Sequence, residues 1–544
     1  MSNDVRKEPV AQRKQYFYQH TKQVAAEFCE TTPIHGISHL IGRNKLLVER
    51  IWWILLFVLS LYFCLIYMYS IVEKWLDNPI IVSFDRDHSS IYSVPFPAVT
   101  ICPETKVKAS VLNVSHTFQL VRSGKLNESM DGERVRKLLA LLQLCEHDLY
   151  DRSETATEDN DMLKLLRKMA IPSFEIFQSC FWKGHPVECL DVFKTSLTEK
   201  GFCYSFNTIA NNDLLRNEEL DPSYAFNSEK RASHWNLDFG YQTGVGINAF
   251  PHRVITGGYL GSLAVSLLVN KSDVDYFCGN SFQGFKVILH MPNEHPQLMH
   301  QFFRIPLNKE LIVTVVPHVT SIGPRAQQYR PEQRHCFNSR ERHLRFFQIY
   351  TQKNCEIECL TNYTLKLCGC VRFWMPRSPG APICALRDSP CCRKALSLVH
   401  KLQAKAEEAE DSDLPKQFCN CLPTCNNIEY HWQVSQAAWD WQNDRLVAVS
   451  PVLENVHQSK MIIYFKQTNF ISVKRNEIIG LSDMIASLGG LLGLFMGVSI
   501  LSLVEMCYYC TLRPYALWKI SQKRRAASRS NRLQKKRSNE QEMR

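Results

Sequence analysis

The sequence predicts an α+β membrane protein in which two transmembrane helices flank one large, disulfide-rich domain of mixed helices and strands. Two runs contain no Asp, Glu, Lys or Arg: residues 51–72 number 22 and residues 484–504 number 21. A helix that crosses a bilayer needs about 20 apolar residues, so each run is long enough. Between the two runs lie 17 of the 21 cysteines. These observations together set the fold class.

The first run, residues 51–72, is interpreted as a retained transmembrane helix and not as a secretory signal. It follows 50 other residues, it exceeds the length of a signal core, and no small-residue cleavage site comes after it. Trp52 and Trp53 stand at its start, where aromatic side chains favour the membrane–water interface.

Charge predicts that both ends of the chain lie in the cytoplasm, on the inner side of the plasma membrane. Residues 1–50 carry a net charge of +3 and residues 511–544 one of +9, out of +11 for the whole chain. Segments rich in Lys and Arg beside a span remain on the cytoplasmic side. A basic run can also bind nucleic acid. Beside a membrane span, however, it more often sets the orientation of the span or contacts anionic membrane lipid. No nucleic-acid partner is therefore expected.

Sequons and cysteines indicate that the middle of the chain is extracellular. The candidate glycosylation sites all lie there: Asn113, Asn127, Asn270 and Asn362. Eleven cysteines fall within residues 336–425. In the cytosol a spacing such as Cys355-x3-Cys359 would suit zinc, but beside sequons an oxidised disulfide framework is favoured. Because 17 is odd, at least one of the middle cysteines is left over or pairs between chains.

Periodicity within the middle segment predicts both helices and strands. Residues 132–145 and 394–410 have apolar side chains three or four positions apart, which is typical of helices. Residues 309–316, 343–352 and 459–473 are rich in β-branched and aromatic side chains, which favours strands.

The second apolar run contains an unusual stretch, SLGGLLGLFMGVSILSLVE (487–505). Four of its residues within a stretch of nine are glycines: Gly489, Gly490, Gly493 and Gly497. Each costs up to about 1 kcal/mol in a helix relative to alanine. One explanation is close helix packing, since Gly489-x3-Gly493-x3-Gly497 repeats a small-x3-small motif.

The other explanation is that the helix breaks at Gly497-Val498-Ser499 and exposes its carbonyl groups. Irregular backbone at membrane depth is found only where it is buried in protein or lines a water-filled cavity. A carboxylate at that depth, such as that of Glu505, must likewise face water or a polar partner. Exposed carbonyls and a ring of carboxylates form a pathway for cations. One such helix does not enclose a pore, so this explanation requires an oligomer.

A series of motifs along nearly the whole chain resembles the degenerin/epithelial sodium channel superfamily, and most closely its insect pickpocket-like branch. The motifs are Ile34-His35-Gly36, FPAVTICPE (96–104), GFCYSFN (201–207), the block from RPEQRHCF to CNCLPTC (330–425), and G-G-x-x-G-L-F-x-G-x-S (489–499). The resemblance implies a trimeric channel architecture whose ectodomain has palm, finger, knuckle, β-ball and thumb parts. The finger would cover about 130–170 and the thumb about 336–425.

The resemblance also implies roles for single residues. Gly497, Val498 and Ser499 match the selectivity filter. Ala486, thirteen residues before Ser499, matches a position where a bulky side chain holds such channels open. The other implied pore-lining or gating residues are Gly489, Gly490, Gly493, Glu505 near the inner mouth, and His35 with Gly36 in a re-entrant cytoplasmic element.

The implied disulfides are Cys102–Cys203, Cys180–Cys189, Cys336–Cys425, Cys355–Cys421, Cys359–Cys419, Cys370–Cys384, and Cys368 with Cys391 or Cys392. Cys145 and Cys278 then remain for an eighth bridge. The implied domains are a cytoplasmic arm (1–50), a first span (51–72), an ectodomain (73–477), a second span with the pore (478–510) and a basic tail (511–544).

The expected function is that of a subunit of a sodium-selective, voltage-independent, amiloride-sensitive cation channel. It would form a homo- or heterotrimer with related subunits and open to an extracellular chemical, osmotic or mechanical stimulus, with Na⁺ as the permeant ion and no cofactor, metal or catalytic site. The alternative is a non-conducting or auxiliary subunit or receptor. A purinergic-type channel would need a basic cluster for phosphates, and HGISH (35–39) lacks the Glu of the H-E-x-x-H enzyme motif.

Overall fold

A computed structural model describes residues 24–41, 46–77, 79–126, 128–145, 161–224, 233–278, 282–299, 301–408, 419–443 and 455–542. Asn127 and most of the acidic stretch 151–162 lie outside these residues. The chain divides into two compact units. The terminal unit contains Met1–Ile81 and Glu477–Arg544, and the central unit contains Val82–Asn476.

After a helix over residues 24–31, the helices are α1 (Ile37–Ile41), α2 (Leu47–Asp77), α3 (Val114–Arg122), α4 (Glu128–Leu142), α5 (Met162–Met169), α6 (Ser173–Ile176), α7 (Cys189–Val192), α8 (Asn211–Leu214), α9 (Pro331–Arg334), α10 (Gln352–Cys368), α11 (Ser389–Glu408), α12 (Leu481–Met496), α13 (Ile500–Cys510) and α14 (Leu512–Glu542). The helices predicted at 132–145 and 394–410 are confirmed as α4 and α11.

The strands are β1 (Ile80–Ser90), β2 (Ala98–Pro103), β3 (Phe177–Trp182), β4 (His185–Val187), β5 (Phe193–Thr198), β6 (Gly201–Phe206), β7 (Trp235–Asn236), β8 (Gly240–Tyr241), β9 (Leu263–Asn270), β10 (Gly284–His290), β11 (Phe303–Pro306), β12 (Lys309–Ile322), β13 (Asn427–Ala438), β14 (Val456–Phe465) and β15 (Asn469–Glu477). They form an eight-stranded sheet, β1-β15-β12-β14-β9-β3-β4 with β13 on β12, a five-stranded sheet, β11-β10-β2-β6-β5, and the pair β7-β8.

In the terminal unit, α2 is the single described helix that is long and apolar enough by itself to cross a membrane. It has 31 residues and extends past the predicted 51–72 at both ends, because the charged residues that flank the apolar run remain helical. The second apolar run is not one helix. It is divided between α12 and α13, and the helices on the two sides of the break are bent by 72°.

In the central unit, the long strand β12 organises the larger sheet. It pairs with β13 in antiparallel fashion, and with β14 and β15 in parallel. The strand predicted at 309–316 is thus confirmed and continues to Ile322. The strand predicted at 459–473 is confirmed as two strands, because the polar triplet Lys466-Gln467-Thr468 separates β14 from β15.

The strand predicted at 343–352 is also wrong. The aromatic side chains in this segment, such as Phe347 and Tyr350, are buried in the core cluster that also contains α4, α5 and α10. The backbone N–H groups of Arg345 and Phe346 each donate to the carboxylate of Glu358 at 2.9 Å. A buried carboxylate on α10 therefore supplies the acceptors that a neighbouring strand would have supplied.

Eight disulfides join cysteines of the central unit. Seven are those that the resemblance implies, and Cys391 is the partner of Cys368. The eighth joins Cys145 to Cys278. Long loops closed in this way restrict the unfolded chain and so stabilise the folded domain.

His290, the last residue of β10, is a buried histidine with a partner for each ring nitrogen. Its Nδ1 lies 2.8 Å from the Met291 carbonyl oxygen and donates to it. Its Nε2 lies 2.8 Å from the Thr100 hydroxyl, which donates to the ring. Burial lowers the pKa of His290 to about 3, so the ring is neutral at physiological pH.

Acid is expected to weaken the central unit through His290. The pKa of an unfolded histidine is about 6.5, so the unfolded chain takes up the proton first. The stability that neutral His290 contributes is complete above this pH and is lost as the pH falls towards 3, by at most about 1.4 kcal/mol per pH unit. In the solubilised full chain, His290→Gln should flatten the fall of the thermal midpoint between pH 6.5 and 5. An unchanged slope would contradict this assignment.

Candidate functional site

The break in the second apolar run has a defined hydrogen-bonded geometry. Gly497 adopts a left-handed backbone conformation with φ of 68°, which glycine accepts without steric cost. Its N–H donates to the Gly493 carbonyl at 3.0 Å, and the N–H of Val498 donates to the Leu492 carbonyl at 3.2 Å. These bonds close the end of α12. The helix therefore stops at a residue that suits a helix end.

Ser499 starts the next helix, α13, as its N-cap. Its backbone is extended, and its hydroxyl accepts the N–H of Ser502 at 3.2 Å. In return, the N–H of Ser499 donates to the Ser502 hydroxyl at 3.1 Å. The Ser499 side chain thus caps the start of α13.

Two carbonyl groups at the break, those of Gly497 and Val498, accept no hydrogen bond from the residues that the structure describes. The two carbonyls before them are engaged. The Phe495 oxygen accepts the Ser60 hydroxyl at 2.7 Å, and the Met496 oxygen accepts the N–H of His35 at 3.0 Å. Where such carbonyl groups lie at membrane depth, they are tolerated only if they are buried in protein or line a water-filled cavity.

Four small residues, Ala486, Gly489, Gly490 and Gly493, form one face of α12, which we call the small-residue face. Their spacing of three and four positions places them above one another. A Cβ atom built on Gly489 or Gly490 would have no described neighbour within 4 Å beyond the helix itself. The carbonyl oxygen of Val498 lies 3.8 Å from the Cβ position of Gly493, so one free carbonyl lies beside this face.

The first membrane helix packs on a different face of α12. The ring of Phe495 stacks on Tyr67 with centroids 6.0 Å apart, and Phe495 also receives the Ser60 hydroxyl bond. Close packing against the chain's own first helix therefore does not explain Gly489 and Gly490. The small-residue face is open in the single chain.

The predicted His-Gly element reaches the break through His35. Two ring atoms of His35, Cδ2 and Nε2, lie 2.8 and 2.9 Å from the position that a Cβ on Gly497 would take. Gly36 has φ of 88° and faces Phe57 of α2, with 3.6 Å between its Cβ position and the ring. The ring of His39 stacks on Trp53 at 4.4 Å. Only glycine at 497 leaves room for this histidine.

Sequence reasoning missed several residues that hold this site. The serine that bonds the Phe495 carbonyl, Ser60, was recognisable as a hydroxyl within an otherwise apolar run. Glu27 pairs with Arg513 at 2.5 Å, and the Thr31 hydroxyl lies 3.2 Å from that of Tyr509. The last two contacts join segments almost 500 positions apart, for which the sequence carries no local signal.

The remaining predicted residues are solvent-exposed in the single chain. Glu505 is exposed on α13 and has no ion pair with another described residue. Three sequon asparagines, Asn113, Asn270 and Asn362, are exposed on the central unit. In the described part of the chain, no group of three or more His, Cys, Asp or Glu side chains is placed to hold a metal ion.

The second apolar run is thus broken at a left-handed glycine, and the described residues leave two main-chain carbonyl groups free at the break, one of them beside an open face of small residues. Residues 28–509 match the family described as "Amiloride-sensitive sodium channel", and the chain belongs to that family. The family consists of ion channels and not of enzymes. The prediction that this chain is not an enzyme is therefore confirmed.

Individual relatives agree with the family match. The chain is 26% identical to Pickpocket protein 28 of Drosophila melanogaster over 91% of its own length and 79% of the relative's. It is 22% identical to Sodium channel protein Nach of the same species, over 91% and 88%. Acid-sensing ion channel 2 of Homo sapiens is 23% identical, over 89% and 85%. The predicted resemblance to pickpocket-like sodium channel subunits is confirmed.

Among solved structures, a proton-activated chloride channel aligns over 85% of this chain and 96% of its own. The identity is 8% and the TM-score is 0.27, so this likeness supports no argument about fold or function.

Proposed function

We propose that this chain is a pore-forming subunit of a sodium-selective, voltage-independent channel of the plasma membrane. The observation that carries the proposal is the pair of free carbonyl groups at Gly497 and Val498, one of which lies beside the small-residue face. In this proposal α2 and the α12–α13 pair both cross the membrane, and both termini are cytoplasmic. The chain acts as a homo- or heterotrimer with related subunits.

The requirement for several subunits follows from the open face of α12. One broken helix does not enclose a pore, whereas three copies with their small-residue faces turned inward surround an axis. Small residues allow the helices to approach closely there. The free carbonyls of Gly497 and Val498 then replace part of the hydration shell of sodium. Glu505 supplies negative charge near the inner mouth and draws cations towards it.

The central unit is proposed as the extracellular domain that receives the chemical, osmotic or mechanical stimulus. Its eight disulfides suit an oxidising compartment. The exposed Asn113, Asn270 and Asn362 are proposed as glycosylation sites. The finger, thumb and palm assignments, block by amiloride, operation without a cofactor and contact of the basic tail with membrane lipid belong to the same proposal.

A cysteine at position 499 tests the proposed filter. The Ser499 side chain is exposed at the break and caps α13, and loss of a serine cap costs about 1 kcal/mol. In oocytes, Ser499→Cys should therefore reduce the preference for sodium over potassium several-fold. The conducting variant should also be blocked by charged thiol reagents added to the bath.

The matched control is Ser499→Thr, which keeps a capping hydroxyl. This variant should retain more of the sodium preference and should be insensitive to thiol reagents. A Ser499→Cys channel that conducts with wild-type selectivity and resists the reagents would contradict the filter assignment. A chain that reaches the surface, gives no current alone and does not alter the selectivity of related subunits would favour the auxiliary function.

A further inference from the structure

Cys392 is the leftover thiol of the central unit, whose 17 cysteines are all among the described residues. Its side chain is 5% exposed and packs in a small cluster with Cys370 and Cys384. The Sγ atom of Cys392 lies 3.5 Å from the Sγ atom of Cys384. Cys384 is itself bonded to Cys370. A free thiol therefore lies in contact with a sulfur of an existing disulfide.

Such a contact is the starting arrangement for thiol–disulfide exchange, in which a thiolate attacks one sulfur of a disulfide and the other sulfur leaves. We propose that Cys392 is an internal exchange site of this domain. The Cys392 sulfur attacks Cys384, the Cys370–Cys384 bond breaks, the Cys384–Cys392 bond forms, and Cys370 leaves with the electron pair. The proton that Cys392 gives to solvent is matched by one that Cys370 takes up, so no oxidant or reductant is consumed.

The neighbouring bridge keeps the two sulfurs together. Cys391, the residue before Cys392, lies in the first turn of α11. It is bonded to Cys368, the last residue of α10. This bridge is unchanged by the exchange, so it holds Cys392 beside Cys384 in both bonding states. The exchange leaves Cys384 in a disulfide but changes its partner from Cys370, just past α10, to Cys392 at the start of α11.

The surroundings of the cluster make the exchange slow in the resting domain. Burial raises the pKa of the Cys392 thiol, so little of the reactive thiolate is present. Cys370 Sγ lies 3.8 Å from the Asp388 carboxylate, which disfavours a thiolate there and favours a protonated leaving group. The Cys370–Cys384 bond therefore exchanges slowly in the resting domain.

The test maps the thiols of the full-length chain without using ion current, so it stands apart from the proposed function. Free thiols are alkylated in denaturant before reduction, and the protein is then reduced, alkylated with a second label and digested with trypsin. The relevant peptides are LCGCVR (367–372), SPGAPICALR (378–387) and DSPCCR (388–393). In the wild type, the first label should lie mainly on Cys392.

The deciding variant is Cys370→Ser, which removes the resting partner of Cys384. The proposal requires that the Cys384–Cys392 bond of the exchanged state can form. In this variant the oxidants of the secretory pathway, which make the other bridges, should therefore oxidise Cys384 and Cys392 to a disulfide, so that neither carries the first label. If both carry the first label in this variant, the proposal is wrong.

Abundance at the cell surface gives an independent readout, because Cys370→Ser and Cys384→Ser delete the same disulfide. Only Cys370→Ser retains Cys384, which can then bond to Cys392. Cys370→Ser should stay within about twofold of wild type, and Cys384→Ser should fall at least about fivefold, since modest destabilisation changes abundance several-fold. The double variant Cys370→Ser/Cys392→Ser should match Cys384→Ser, and Cys392→Ser should match wild type. An equal loss in Cys370→Ser and Cys384→Ser would overturn the proposal.

Discussion

Replacement of Gly497 by alanine is expected to remove most of the sodium current from a channel that still reaches the cell surface. The left-handed backbone at this position costs a residue with a Cβ atom about 1–2 kcal/mol. The added Cβ would also lie 2.8 Å from a ring carbon of His35. The break must therefore shift, and the free carbonyls of Gly497 and Val498 move with it. A backbone strain of about 1–2 kcal/mol corresponds to a loss of about five- to thirtyfold in open, conducting channels.

Two further variants separate the backbone effect from the contact with His35. His35→Ala in the Gly497→Ala background removes the clash but keeps the strained backbone, so it should restore part of the current. Gly244→Ala has a similar left-handed φ of 81° with nothing within 4 Å of its Cβ position, and should leave the current close to wild type. Wild-type sodium current in Gly497→Ala, recorded by voltage clamp with surface labelling, would contradict the proposed role of the break.

The position of the break was predictable because glycine acts locally. Gly497 has no Cβ atom, so the sequence alone indicates where the helix can leave its regular geometry. The same holds for Ser499, a residue type that favours the first position of a helix. Neither inference needs a distant contact, and in the structure both residues have the conformation that their chemistry favours.

The contacts that hold the break were not predictable in the same way. Ser60 and His35 meet α12 across more than 400 positions of sequence, and a serine in an apolar run carries no sign of its partner. The strand prediction for residues 343–352 was wrong for a related reason. Its composition favours a strand, but Glu358 accepts the N–H groups of Arg345 and Phe346. Composition reports the preference of a segment, whereas its hydrogen-bond partner is a property of the whole fold.

The open face of α12 bears on both explanations of the glycines. The sequence left packing within the membrane and an exposed break as alternatives. In the structure the first helix contacts Phe495, while the Cβ positions of Gly489 and Gly490 are open. The glycines are therefore available to other copies of the chain, and the two alternatives become compatible. In the proposed trimer, packing between subunits would surround the pore, and the break at Gly497 would supply the oxygens.

A larger side chain at Ala486 is expected to produce a constitutive sodium current. Ala486 is exposed in the single chain and lies on the small-residue face, one turn before Gly489 and Gly490. In the proposed trimer this face meets its counterparts at the closed constriction. Overpacking of a close contact costs about 1–3 kcal/mol. If this cost falls on the closed state alone, Ala486→Val raises the resting current at least about fivefold, and Ala486→Phe raises it further.

The matched control enlarges a side chain of the same helix that points away from the small-residue face. Leu481 is 61% exposed and lies about 140° around the helix from Ala486, so Leu481→Phe should leave the resting current unchanged. Voltage clamp in sodium and then in N-methyl-D-glucamine isolates the sodium current, and surface labelling corrects for expression. A surface-expressed Ala486→Val channel without resting current, or an equal current in Leu481→Phe, would contradict a closed constriction at this face. Because enlargement opens the pore only where copies of α12 are in contact, a positive result also locates the subunit contact on the small-residue face.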